Sequence, residues 1–522
     1  MTEKPALSLP VKRQASCDIE ENANKPMCKY GEKCYRKNPQ HFKEFQHPKS
    51  TTPVAKRQKL NCEELTATSR NHVPLYVTSV RGISAEYNQK NVAIGIKDIL
   101  SEEDGDLEAS AQFNYMFDLS WLMQQYPVKT RRKPLLIVHG DSGQSKANLE
   151  AEAAPFKNIE FVQAELTIPY GTHHSKMMFL LYNDGLKVVI HTANLIEQDW
   201  DQKTQGVWVS PKFPKLSTKQ NQDNLQNDEF KKDLLEYLDA YGSSSKLDVW
   251  RNRIKDHDMT GAKARIVASV PGRHVGISKY KWGHLRLRSL LELFGPDNEF
   301  VDRRWPVLGQ FSSIGSLGPD EKKWLCAEWL ESLAAVRRKP SILKANLPDL
   351  KLIFPSLENV RTSLEGYKAG GSLPYADNNA RKQLYLLEYF HQWKSTQLGR
   401  TRASPHIKSY SRISPDSNEA AWFLLTSANL SKAAWGAFEK KESQLMIRSF
   451  EIGVLMIPQQ FSSESKSFNI LGKNKTNSGS SYSLQLPYDV PLTAYLPDDS
   501  PWIWDRNYLK PDSLSGTWMP RR

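Results

Sequence analysis

The sequence predicts an α/β protein of two related halves, preceded by a small metal-stabilised module. Three observations predict it. From Val73 onward, unbroken apolar β-runs alternate with helical patterns, which favours sheets covered by helices. One cassette occurs twice: His174-Ser-Lys176, an apolar run and Thr-Ala-Asn194-Leu, then His406-Ile-Lys408, an apolar run and Ser-Ala-Asn429-Leu. Ahead of both lies a cluster of two cysteines and two histidines between Cys28 and His47.

A chain of 522 residues buries substantial cores. A net charge of +13 favours polyanionic partners: nucleic acid, an anionic membrane or a related polymer. Five cysteines are too few for a disulfide scaffold. The start, MTEKPALSLPVKRQASC, has no apolar signal core, and no apolar run is long enough to span a bilayer. The expectation is a soluble, intracellular, monomeric protein without a membrane partner.

Residues 1–24 are polar and without periodicity, and are expected to be a disordered tail. The Cys/His module occupies 25–49 and a linker 50–72. Basic clusters at Lys12-Arg13 and Lys56-Arg57-Gln-Lys59 have the composition of nuclear import signals, with a cytoplasmic pool left open. The first α/β half spans 73–260. In it LLIVHG (135–140) reads as a buried strand. MMFLLY (177–182) and KVVIHT (187–192) flank Asn183-Asp184-Gly185, a hairpin signal. DEFKKDLLEYLDAYG has helical spacing. The second half, 261–522, opens on the strand ARIVASV (264–270) and the helix GHLRLRSLLELF (283–294). AWFLLTSANL (421–430) and IGVLMIP (452–458) supply further strands.

A lone His-x-Lys carries little information; the chain has four, at His41, His47, His174 and His406. The shared ensemble carries the signal. Lys176 to Asn194 is 18 positions and Lys408 to Asn429 is 21. Downstream come Gln205-Gly-Val in one half and Glu451-Ile-Gly-Val in the other. Each copy supplies an imidazole, an ammonium and a carboxamide. Face to face, the copies make a phosphate clamp with a histidine on either side. The lysines and asparagines neutralise non-bridging oxygens. One imidazole attacks phosphorus; the other protonates the leaving oxygen, then takes a proton from water. Gln205 and Glu451 are placed to hold the far nitrogen of one imidazole each. No carboxylate cluster for Mg²⁺ is evident, so no catalytic metal is expected.

These residues resemble the phospholipase D superfamily, and within it the tyrosyl-DNA phosphodiesterase branch. The superfamily's aspartate after the lysine is replaced by Leu181 and Ile413, as in that branch's His-Lys-Asn motif. GTHHSKMM, VVIHTANLI, GQFSSIGSLG, TSANLSKAAWG and PWIW match as well, so the resemblance covers about residues 75–522. It implies two phospholipase D-like α-β-α halves with the active site between them. It implies His174 as nucleophile and His406 as general acid/base. Lys176, Lys408, Asn194 and Asn429 would bind phosphate, Gln205 would partner His406, and Glu451 would partner His174. The family removes peptide adducts, notably a trapped topoisomerase I tyrosine, and other blocking groups from 3′ ends of single-stranded or duplex DNA. By the same resemblance Tyr170 stacks on a base. Ser312, Ser313, Ser316, Ser372 and Ser431 lie along the DNA backbone, and Trp504 lines the peptide side.

Cys28, Cys34, His41 and His47 form C-x5-C-x6-H-x5-H, a tetrahedral zinc set. The spacing departs from the DNA-reading finger, which has about twelve residues between its pairs. Such a segment is too small to fold without metal. The string CKYGEKCYRK…H…HP resembles the poly(ADP-ribose)-binding zinc finger. Tyr30 and Tyr35 are expected to stack on adenine and Arg36 to pair with phosphate. Delivery to sites of poly(ADP-ribose) synthesis at DNA breaks follows as an expectation. Cys17, Cys62 and Cys326 have no ligand-like spacing. The competing readings are a phospholipid phosphodiesterase, a non-catalytic polymer-binding scaffold and a general nuclease. The missing aspartates, the full catalytic set and a site suited to a phenolic leaving group argue against them in turn.

Overall fold

The computed structural model describes residues 71–217, 228–337, 347–473 and 482–520, all within the compact unit Cys62–Arg522. The N-terminal tail, the zinc-finger residues Cys28, Tyr30, Cys34, Tyr35, Arg36, His41 and His47, and the linker up to Arg70 lie outside the described residues.

The first half contributes β1 (Leu75–Thr78), β2 (Ala93–Ile94), β3 (Leu107–Phe113), β4 (Leu135–His139), β5 (Ile159–Gln163), β6 (Met177–Tyr182), β7 (Gly185–His191) and β8 (Gly206–Val209). They form one sheet in the order β2-β1-β8-β7-β6-β3-β4-β5. The second half contributes β9 (Arg265–Ser269), β10 (Gly272–Val275), β11 (Val307–Gln310), β12 (Leu350–Ile353), β13 (Phe390–His391), β14 (Ser409–Ile413) and β15 (Glu419–Thr426). β16 (Ala437–Glu439), β17 (Gln444–Ile447), β18 (Glu451–Met456), β19 (Phe468–Ile470) and β20 (Ser483–Leu484) follow. Its large sheet runs β13-β12-β11-β14-β15-β18-β9, and β10, β17 and β16 make a small separate one.

The duplication extends to topology. The path β1-β8-β7-β6-β3-β4-β5 has its counterpart in β9-β18-β15-β14-β11-β12-β13. Only β3-β4-β5 and β11-β12-β13 are parallel; every other step on both paths is antiparallel.

The apolar β-runs are unbroken because both faces of these strands are buried. Met177, Phe179 and Leu181 of β6 face a core shared with Phe423 and Leu425 of β15 and with Ile452 and Val454 of β18. Met178, Leu180 and Tyr182 face an outer layer with Leu119, Leu122 and Leu149. Trp422 and Leu424 face the outer layer of the second half, with Leu287, Leu290 and Trp329. The helices Glu229–Asp239 and Ser245–Lys255 lend Leu234, Tyr237, Leu247 and Trp250 to the shared core. Asp228 caps the first of these, its Oδ1 accepting from the Lys231 N–H at 3.0 Å.

The hairpin expected at Asn183-Asp184-Gly185 forms, with Tyr182 paired to Gly185. Its glycine serves a purpose other than turn conformation: a Cβ on Gly185 would meet the Phe213 carbonyl oxygen at 2.7 Å. Among the described residues no helix is long and apolar enough to cross a membrane.

Candidate active site

His174 and Lys176 lie just before β6, and Asn194 just beyond β7; His406 and Lys408 lie just before β14, and Asn429 just beyond β15. Strand ends gather these polar groups where the two sheets meet. Lys176, Lys408 and Gln205 are completely buried, and Asn194, His406 and Glu451 nearly so.

Each histidine is held by the other half. The His174 N–H donates to the Phe450 carbonyl at 2.9 Å, and the Phe450 N–H donates back to Thr172 at 2.9 Å. His174 Nδ1 lies 2.8 Å from Glu451 Oε2. Reciprocally, the N–H groups of His406 and Ile407 both donate to the Thr204 carbonyl, each at 2.9 Å. His406 Nδ1 lies 3.0 Å from Gln205 Nε2. A buried ion pair, Lys203 Nζ to Glu365 Oε1 at 2.5 Å, joins the halves beside this second contact.

The two imidazoles meet different partners. Burial alone would raise the Glu451 carboxyl. His174 beside it, the Ser427 hydroxyl and Lys176 outweigh that, and the net shift is downward. Glu451 is therefore an anion and can only accept. His174 carries its proton on Nδ1, and its Nε2 presents a lone pair. Burial first, then Lys176, keeps His174 below the usual imidazole range.

His406 Nδ1 has a donor and two acceptors within reach: Gln205 Nε2 at 3.0 Å, Gln205 Oε1 at 3.2 Å and Asp199 Oδ2 at 3.3 Å. Nδ1 is satisfied whether or not it bears a proton. Burial, Lys408, Lys176 and Lys203 hold His406 well below its ordinary value.

Lys176 Nζ donates to the His174 carbonyl at 3.2 Å, and Lys408 Nζ to the His406 carbonyl at 2.5 Å. Burial pushes Lys176 down to about 8, against the pull of Glu451 and Asp199. Burial and then Lys176 push Lys408 well down. Two buried ammonium groups that repel each other make a site that gains from an anion between them. Asn429 Oδ1 accepts from Ser312 N–H, Ser312 Oγ and Ser313 N–H at 3.1, 3.2 and 3.0 Å. Its amide NH₂ is thereby oriented away from those donors.

Residues 74–496 match the family described as tyrosyl-DNA phosphodiesterase. The chain belongs to the tyrosyl-DNA phosphodiesterase family. Among its relatives in this family, tyrosyl-DNA phosphodiesterase 1 of Drosophila melanogaster is 37% identical over 485 residues, covering 87% of this chain and 80% of that one. The Arabidopsis thaliana protein of the same name is 36% identical over 465 residues, 81% of this chain and 73% of that one. The crystal structure of yeast tyrosyl-DNA phosphodiesterase has the same fold, with a TM-score of 0.62 over 83% of this chain and 100% of that one, at 20% identity. Residues 25–50 match the PBZ domain.

Two residues of this family member's site were not singled out in the sequence. Tyr115, after β3, is 42% exposed, its ring centroid 5.5 Å from that of His174 and 5.8 Å from Lys176 Nζ. Asp199 is buried; its Oδ2 accepts from the Asn194 N–H at 2.7 Å and lies 3.3 Å from His406 Nδ1. A lone tyrosine 59 positions before His174 has no local signature. Asp199 falls five residues after Asn194, but the matching position after Asn429 is Ala434, so the duplication did not flag it.

The remaining residues expected to contact substrate are partly or fully exposed. Tyr170 is 93% exposed at φ +62°, backbone strain of a kind that concentrates at functional positions. Ser313 Oγ donates to the Pro374 carbonyl at 2.9 Å. Ser316 is exposed, and Ser372 half-buried at the end of the turn Gly366–Ser372. Ser431 Oγ caps the short helix Lys432–Trp435. Trp504 is 41% exposed, outside the core.

Proposed function

We propose that this protein hydrolyses the phosphodiester between a DNA 3′ end and a tyrosine, such as a trapped topoisomerase I adduct, or another 3′ blocking group. The carrying observation is the pair of unlike imidazoles flanking two buried lysines. His174 Nε2 attacks phosphorus and the P–O bond to the tyrosine breaks. The phenolic oxygen takes the proton from Nε2 of protonated His406, and a phosphohistidine remains on DNA. His406 Nε2 then takes a proton from water, whose oxygen attacks phosphorus. The P–N bond breaks, leaving a 3′-phosphate and free His174.

The phosphodiester anion favours the charged form of His406 on binding, and Asp199 and Gln205 Oε1 then accept its Nδ1–H. Lys176, Lys408, Asn194 and Asn429 hold the non-bridging oxygens. Tyr115, Tyr170 and the serines at 312, 313, 316, 372 and 431 lie along the DNA, and Trp504 lies on the peptide side. The test is an oligonucleotide bearing a 3′-phosphotyrosine, incubated in excess EDTA. Conversion to the 3′-phosphate is expected. No conversion by folded protein refutes the reading and moves the search to lipid phosphodiesters.

Asp199→Asn keeps an acceptor for the Asn194 N–H and removes one buried charge. Without it, protonated His406 is less favoured, and Lys176 and Lys408 lose a charge that holds their protons. Both effects lower the pH at which the site holds its working charges. The expected result is a pH optimum of kcat/KM moved to lower pH, with a loss at neutral pH of about 10–100-fold. An unchanged profile removes Asp199 from this role.

The N-terminal finger is proposed to hold one structural zinc through Cys28, Cys34, His41 and His47, whose thiolate and imidazole donors suit that ion. Tyr30, Tyr35 and Arg36 bind poly(ADP-ribose) and bring the enzyme to DNA breaks in the nucleus. Substituting Cys28 and Cys34 with serine is expected to abolish polymer capture while leaving cleavage of a short oligonucleotide unchanged. Retained capture refutes the assignment.

A further inference from the structure

The duplicated halves also differ in length beside the site. Asn194 to Gln205 is 11 positions, and Asn429 to Glu451 is 22. The extra length is the hairpin β16–β17, Ala437–Ile447, with β10 added at its edge. Both roots of this arm are in the site: the segment Asn429–Trp435 enters it, and Arg448 to Glu451 leaves it. Arg448 Nη1 donates to the Pro169 carbonyl at 2.8 Å, just before Tyr170.

One face of the arm is structural. His274, Leu445 and Phe438 stand in a row across the three strands, with Leu445 in the core and the Phe438 ring 5.7 Å from that of His284. Another part of the arm is open to solvent. Val275, Ile277 and Tyr280 are 57%, 84% and 42% exposed. Lys440, Lys441 and Glu442 form the tip with φ of +50°, +56° and +65°. Three consecutive residues with a Cβ in the left-handed region are unfavourable by themselves. The Ser443 N–H and hydroxyl close the tip on the Lys440 carbonyl, and Lys279 Nζ donates to the Glu442 carbonyl at 3.0 Å. Arg273 pairs with Glu439 and Lys281 with Glu236. Among the described residues no carboxylate forms an ion pair with Lys279 or Lys441, while Lys440 acts on its neighbour Glu439.

We propose that this arm is a second DNA-contacting surface, holding the substrate strand or its complement upstream of the blocked 3′ end. The proposal rests on the function given above. Exposed lysines at the tip and an exposed tyrosine beside a phosphodiester site match a sugar-phosphate backbone with bases to stack. From Glu451 to Lys441 is 10 residues, so at about 3.3 Å per residue the tip lies no more than about 33 Å from the site. At about 3.4 Å per base pair, it touches DNA within the first ten or so positions.

The test compares 3′-phosphotyrosine substrates of about four nucleotides and about twenty base pairs, using the full chain. The variants are Lys440→Glu with Lys441→Glu, and Lys440→Asn with Lys441→Gly, which suits a left-handed tip. On the long substrate, KM is expected to rise about 10-fold. The slope of log kcat/KM against log salt is expected to become shallower by about 0.7–0.9 for each phosphate that the arm no longer neutralises. On the short substrate kcat and KM stay as in the parent. Ile277→Ser with Tyr280→Ala is expected to raise KM for the long substrate alone. Unchanged long-substrate values in all variants, or equal losses on both lengths, refute the DNA surface; the former outcome leaves the exposed apolar residues to a protein partner. Failure of the parent protein on both lengths refutes the functional reading instead.

Discussion

His174→Ala abolishes turnover and leaves no covalent DNA–protein adduct; the expected loss in kcat exceeds about 10⁴-fold, the order seen when a nucleophile is removed. The size follows from how the imidazole is held. Its Nδ1 faces a buried carboxylate at 2.8 Å and its backbone N–H is tied to Phe450 of the other half. The other imidazoles nearby are held elsewhere: His406 is tied to Thr204 and Gln205, and buried His173 has Nδ1 3.0 Å from the Asn114 carbonyl and Nε2 2.9 Å from the Tyr241 hydroxyl. Alanine leaves Glu451 buried without its imidazole, though the Ser427 hydroxyl still donates to it. His174→Gln, with a side-chain donor for Glu451, is the companion that separates lost chemistry from lost stability. Trapping adduct on a denaturing gel checks the result. An adduct retained in both variants, on unaltered fold, places the nucleophile elsewhere.

His406→Asn is expected to do something different: the first step survives in slowed form and the second stalls. A tyrosine leaves with a pKa near 10, so attack by His174 proceeds without full protonation of the leaving oxygen. Water is a far weaker acid and needs a base to attack the phosphohistidine. Losing general acid/base help costs about 10²–10⁴-fold, and the larger share falls on hydrolysis. DNA-linked protein should therefore accumulate in His406→Asn and be absent from His174→Ala. Mass spectrometry of the trapped species would locate the phosphoryl group on His174. If neither variant forms an adduct, the division of labour is wrong. If His406→Asn turns over without accumulation, a different group activates the water.

Much of the scaffold was legible because its signals are local. The runs at 135–139, 177–182, 265–269 and 452–456 form strands, and 283–294 forms a helix. Repetition of His-x-Lys and Ala-Asn-Leu around a β-run pointed to two equivalent strand pairs, which β6–β7 and β14–β15 are. The PBZ match over 25–50 falls on the single short segment whose Cys/His string resembles that finger. Asp199 and Tyr115 escaped notice because each owes its place to contacts across the fold. Asp199 touches a histidine 207 positions away.

The amino-acid sequence by itself determined the inventory: paired imidazoles, lysines and carboxamides at fixed distances from β-runs, on an α/β frame repeated once. Local spacing suffices for that, because a strand's ends follow from its own residues. Tertiary structure decided how the inventory works. Two sheets share a core, which brings Glu451 to His174 and Gln205 with Asp199 to His406 across 277, 201 and 207 positions. Those partners make one imidazole a fixed lone pair and let the other satisfy Nδ1 in either charge state. The difference arises from hydrogen-bond geometry and burial between the halves, and neither is a property of any stretch of sequence.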